Sequence, residues 1–210
     1  MHSKSAIAFL FAAPLALAGH AQTSDPPLLE RPTPMVGDSR VYAVLDSTTM
    51  VEQRIEDLRV TQVGAEQISI TDQGSSVLAV YDSQWALKQL GERSYAPPIQ
   101  ALKFPLQVGK TWEHHNVSDH PSCGSTKTQL KNEVIGWEDV SVPAGTFRAL
   151  RIDSSGYWSN RCGSDQARYR FWFSPVVGWL VKSESRLYYG GRVTDGQLRV
   201  LKSYQLQPRT

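Results

Sequence analysis

The chain has 210 residues, with 22 Lys and Arg against 20 Asp and Glu, and a formal charge of +2. That balance excludes the basic footprint of a nucleic-acid binder and the polybasic face that holds a protein on anionic lipid. With 40% hydrophobic and 20% charged residues, the composition is that of an ordinary globular chain able to bury one core.

In chain order, Lys4 supplies a short basic region, Ala6 to Leu17 an apolar stretch, and Gly19-His20-Ala21 small residues at the end of it. This three-part pattern predicts a secretory signal peptide over residues 1–21, cleaved after Ala21. A membrane anchor needs about 20 apolar residues, whereas Pro14 interrupts this stretch and Gly19, His20 and Gln22 end it. Later apolar runs are short and broken by charge, so no transmembrane anchor is expected, and no cysteine follows the cleavage point to carry lipid. The expected location is the periplasm, or outside the cell. Removing Lys4 with the signal lowers the charge from +2 to +1.

Residues 22–36 hold Pro26, Pro27, Pro32 and Pro34 with little apolar content, which predicts an extended, mobile lead-in. A single domain then runs from 37 to 210. Within it apolar residues recur with period two, the sign of half-buried strands. Val41, Ala43 and Leu45 share one face, Ile68 and Ile70 another, and Val77, Ala79 and Tyr81 repeat the pattern. Further strands are predicted at 99–104, 111–117, 128–142, 147–152, 167–173, 179–189 and 197–206, each rich in β-branched or aromatic residues. Only Asp82 to Leu90 offers a short helix, and its Trp85, Leu87 and Leu90 suit a strand nearly as well.

Asp72-Gln73-Gly74, Val142-Pro143-Ala144-Gly145, Gly190-Gly191 and Asp195-Gly196 supply tight turns between these runs. Tight turns make antiparallel neighbours, because parallel strands need long crossovers. The predicted fold is all-β: a curved antiparallel meander forming an open barrel or half-barrel, with a β-sandwich as the alternative. Cys123 and Cys162 are the only cysteines. In an exported chain they predict one disulfide, worth roughly 3–4 kcal/mol for a loop of about 40 residues.

Three segments, Phe104-Pro105-Leu106-Gln107-Val108-Gly109-Lys110-Thr111-Trp112, Val140-Ser141-Val142-Pro143-Ala144-Gly145-Thr146-Phe147 and Trp172-Phe173-Ser174-Pro175-Val176-Val177-Gly178, stand in that order. Together they resemble an uncharacterised family of exported bacterial β proteins, a domain of unknown function. The resemblance implies a curved antiparallel sheet broadly like the lipoprotein carriers of the periplasm, and carries over no catalytic residues. Read as residues, Pro105, Gly109, Pro143, Gly145, Pro175 and Gly178 fix turns, while Trp112, Phe147 and Trp172 suit a core.

Candidate chemistry gathers in His114-His115-Asn116-Val117-Ser118-Asp119-His120, which holds every histidine beyond the signal segment. His115, Asp119 and His120 are of the types that ligate a divalent metal, although adjacent strand residues face opposite ways and the spacing matches no established metal motif. Ser118, Ser122 and Ser125 near Asp119 and His120 are the corresponding candidates for a hydrolase, without a Gly-x-Ser-x-Gly elbow. No cofactor fingerprint is present. The binding candidates are aromatic. Tyr169, Phe171 and Phe173 alternate along one strand, with Trp179 on the next, and would line the concave face of a curled sheet. The function expected is non-enzymatic binding of an apolar or amphiphilic ligand, or of a cell-envelope partner. Metal binding and hydrolysis are the alternatives.

Overall fold

The computed structural model describes residues 28–72, 76–120 and 122–209. The expected signal peptide and residues 22–27 of the lead-in lie outside them, as do the side chains of Ser76 and His120.

Twelve strands follow in order: β1 Ser39–Asp46, β2 Glu52–Val63, β3 Ile68–Asp72, β4 Ser76–Tyr81, β5 Leu87–Leu90, β6 Arg93–Ile99, β7 Thr111–His120, β8 Gly124–Val142, β9 Gly145–Asn160, β10 Gly163–Ser174, β11 Trp179–Tyr189 and β12 Arg192–Gln205. Each pairs antiparallel with its sequence neighbour, and β1 pairs with β12, so the meander closes into a barrel. The all-β barrel and the Cys123–Cys162 disulfide are as the sequence predicts. The closure goes beyond the open form, because Tyr42 to Asp46 run in register with Leu201 to Gln197. Closure also removes the free edges through which a sheet recruits a partner strand.

Two predicted elements differ. Residues 100–110 form a loop instead of continuing a strand from Ile99, and Leu102 and Leu106 fold from it into the core. Asp82 to Ala86 form a tight turn: the Asp82 carboxylate accepts from the amides of Gln84 and Ala86, both at 2.8 Å, and β5 follows at once. The β6–β7 seam is short, with only Tyr95↔Ser118 and Ala96↔Val117 in register. Pro97 and Pro98 have no N–H to extend it.

The strand order gives the barrel two unlike ends. The turns β7–β8 and β9–β10 meet at one end, where the disulfide joins them with Cα atoms 5.5 Å apart. The other end is plugged. Leu29 and Leu106 exchange two backbone hydrogen bonds of 2.8 Å, the Trp85 indole N–H donates to the Pro32 carbonyl at 3.1 Å, and Arg31 donates to the Ser83 carbonyl. These bonds hold the described part of the lead-in against the plugged end.

Charge lines the outside. Arg151, Asp153, Arg170, Glu184 and Arg186 form a ladder of ion pairs across β9, β10 and β11. On β7 and β8, Glu113, His115, Lys131 and Glu133 are exposed while Trp112, His114, Leu130 and Val134 are buried. These strands turn charge outward, the reverse of a lipid-facing barrel wall. Among the described residues no helix is long and apolar enough to cross a membrane.

Asp38 joins the two chain ends at the plug. Fully buried, it accepts from the amides of Met35 at 3.0 Å and Gln207 at 2.8 Å and from the Arg209 guanidinium at 3.3 Å. Asp38→Ala leaves these donors without their acceptor, and urea unfolding is expected to show a loss of about 2–4 kcal/mol. An unchanged midpoint would contradict this role.

Candidate functional site

The plug fills one end of the barrel with side chains, and the disulfide end keeps a cavity of about 640 Å³. Its floor is aromatic. Trp85, placed by the Asp82 turn at φ 63°, lies with its ring centroid 4.4 Å from that of Trp179, and Tyr81 meets both rings edge-on at 5.5 and 5.6 Å. Leu102 and Leu180 complete this surface. On the β10 wall, Tyr169 and Phe171 stack in parallel at 6.2 Å.

Three of the four aromatic residues singled out in the sequence, Tyr169, Phe171 and Trp179, therefore line one cavity. Phe173 does not: with 1% of its surface exposed, it packs against Phe104 at 5.4 Å inside the core. The alternation that sends all three β10 rings inward holds, but Phe173 reaches the filled half of the barrel.

The β7 wall is polar. Trp112 is buried with its indole donating to the Gln100 carbonyl at 2.8 Å, and it sets the inward parity of β7, so that His114, Asn116 and Ser118 follow it toward the cavity. Behind His114 lies Asn132, fully buried. Its Nδ2 donates to the Trp112 carbonyl at 3.2 Å and stands 3.0 Å from His114 Nδ1. A carbonyl can only accept, so this orientation makes Asn132 the donor to His114 and leaves the imidazole proton on Nε2. Burial, reinforced by the neighbouring His115, pushes the His114 pKa down to about 4. The ring is neutral at physiological pH.

Arg199 enters from β12. Its guanidinium pairs with Glu56 at 2.6 Å and sits 4.5 Å over the Tyr42 ring, while Glu56 also accepts from Arg54 at 2.7 Å. The Tyr42 hydroxyl donates to the Leu180 carbonyl at 2.6 Å. Burial pushes the phenols of Tyr42, Tyr81 and Tyr169 up to about 12, so all three stay neutral. Arg93 and Tyr95 stand nearer the disulfide end, with Cys123 and Cys162. The lining includes two arginines and no carboxylate among the described residues.

The metal and nucleophile candidates are dispersed by strand parity. His115 and Asp119 are exposed on the outer face of β7, about 13 Å apart at the usual strand rise. The side chain of His120 lies outside the described residues, among which no three His, Cys, Asp or Glu side chains stand close enough to share a metal ion. Ser118 is buried facing the cavity, whereas Asp119 and Ser125 are exposed outside. Sequence reasoning missed His114, Asn116 and Arg199 as cavity groups. The signal for the first two was present, because a strand that buries Trp112 must also turn residues 114, 116 and 118 inward.

No family model matches the chain, and no curated protein matches it. Solved structures do. A protein of Parabacteroides distasonis described as a lipoprotein is 12% identical, with a TM-score of 0.54 over 87% of this chain and 100% of that one. A Bacteroides fragilis protein described as exported, with a YmcC-like fold, is 13% identical, with a TM-score of 0.55 over 85% and 100%. The hypothetical lipoprotein YmcC of Escherichia coli is 12% identical, with a TM-score of 0.50 over 82% and 85%. At these identities the likeness is one of fold.

The depressed basicity of His114 has a consequence for stability. An unfolded imidazole titrates near 6.5, so between about pH 6.5 and 4 the unfolded chain takes up a proton that the folded protein resists. Stability contributed by the neutral ring is full above pH 6.5 and falls as the pH drops toward 4. Urea midpoints at pH 7 and pH 4.5 should therefore differ less in His114→Gln than in the parent; equal pH dependence would show that His114 is not held neutral.

Proposed function

We propose that this chain is an exported, non-enzymatic protein that binds one apolar or amphiphilic small molecule inside its barrel. The observation that carries the reading is the 640 Å³ cavity with its floor of Trp85, Trp179 and Tyr81. Pockets for small ligands run to about 300–1,000 Å³, with mostly apolar walls and a few polar groups. An apolar chain would rest on the floor and the Tyr169–Phe171 wall. Export rests on the signal pattern over residues 1–21, in keeping with the descriptions of the structural neighbours as an exported protein or lipoproteins.

The test separates space from scaffold. Native protein is expected to bind an anilinonaphthalene sulfonate probe at about one per chain. Ser183→Trp, which sends an indole from the cavity wall into the space, should abolish that binding while the fold persists. Phe173→Ala, in the core, should cost about 3–5 kcal/mol, and Phe171→Ala, on the cavity wall, clearly less. Undiminished probe binding by folded Ser183→Trp would overturn the proposal.

A further inference from the structure

The polar wall of the cavity holds side-chain donors that the fold leaves unused. His114 Nε2, Asn116 Nδ2 and Ser154 Oγ are all buried with no hydrogen-bond partner, on residues that are 8%, 3% and 3% exposed. All three residues line the cavity. His114 and Asn116 are neighbours two apart on β7, while Ser154 lies two strands away on β9, across from Asn132, which itself lies across from Trp112. Protein interiors rarely leave buried donors unpaired, because each costs the free energy of its lost hydration. A group of them facing a space large enough for a ligand is what a polar anchor inside an apolar pocket requires.

The sign of the partner follows from the chemistry. Asn132 donates to His114 Nδ1, which makes Nε2 an N–H, and the unpartnered atom of Asn116 is its amide nitrogen. Both are neutral donors, and Arg199 adds an unpartnered Nε. With no carboxylate among the described lining residues, nothing in this wall favours an ammonium group. Side chains two apart on a strand have Cα atoms about 6.5–7 Å apart, so two leaning together can reach one carboxyl or ester group.

Resting on the carrier reading above, we propose that His114 and Asn116 form a donor pair that anchors a carbonyl-type oxygen of an acyl ligand, either the carboxylate of a fatty acid or the carbonyl of an acyl ester. The acyl chain then lies on the Trp85–Trp179 floor. The ligand class is thereby narrowed from any amphiphile to one whose apolar chain carries an acceptor and no cationic head.

The experiment measures displacement of the naphthalene sulfonate probe from the mature protein by decanoate, methyl decanoate and decyltrimethylammonium, which share a ten-carbon chain and differ in the head. The acid and the ester should compete about tenfold more strongly than the ammonium salt, and the stronger of the two identifies the natural head. Asn116→Leu should weaken the better acyl competitor about tenfold, leave decyltrimethylammonium within about twofold, and not lower Tm, since it removes an unsatisfied buried amide. A residue with a merely structural role would instead lower Tm and leave the ranking of the three ligands intact. Asn116→Ala serves the same comparison if leucine does not fit. If all three compounds compete alike and Asn116→Leu changes none of them, the donors serve only water and the anchor is overturned while the carrier stands. If the probe and all three fail to bind the parent protein, both fall.

Discussion

Closure of twelve strands into one barrel is the constraint on which the rest of the molecule depends. About eight strands enclose an interior that side chains just fill, and diameter grows with strand number. A twelve-stranded barrel must therefore be plugged or remain hollow. Here one end is filled by large side chains and by loops folded inward, with Leu102 and Leu106 from residues 100–110, Trp85 from the β4–β5 turn and Leu29 from the lead-in. Among the described residues the other end has only short turns and a disulfide, and it keeps the cavity. The aromatic floor marks the boundary between the two halves.

Width also accounts for the polar interior. A wall that faces a space tolerates groups that a packed core would not, provided each is neutral or paired. Asn132 satisfies the Trp112 carbonyl and one face of His114, and Glu56 compensates Arg199 beside Tyr42. Glu56 and Asp38 each have a guanidinium within hydrogen-bond distance, the condition under which an ion pair can leave water without prohibitive cost. The same sheet turns its ionic ladder of Arg151, Asp153, Arg170, Glu184 and Arg186 outward, where pairing matters less. Inside and outside differ in the kind of polarity they carry.

Much of this was legible in the sequence where it depended on local periodicity. Ala79 and Tyr81, or Tyr169, Phe171 and Phe173, announce strands and their inward faces because alternation is a property of the strand itself. Ring closure was not legible, since the register of Tyr42 with Leu201 joins residues from opposite ends of the chain. Nor was the depth each ring reaches: Phe171 and Phe173 share a face, yet one lines the cavity and the other is core, according to what the plug places beneath them. The histidine cluster drew attention as a metal-ligand set, but parity sends His115 and Asp119 outward and His114 inward, and the inward one carries the more unusual chemistry.

The central claim is that an apolar chain enters the barrel. The most direct measurement uses methyl-labelled protein and a nitroxide-bearing fatty acid, because paramagnetic broadening reports distance from the chain itself. The account predicts that methyl signals of Leu87, Leu102 and Leu180, around the cavity, broaden at equimolar ligand, while those of Val36 and Val176, exposed at the plugged end, stay sharp. Broadening confined to Val36 and Val176, with the three leucines unaffected, would contradict it.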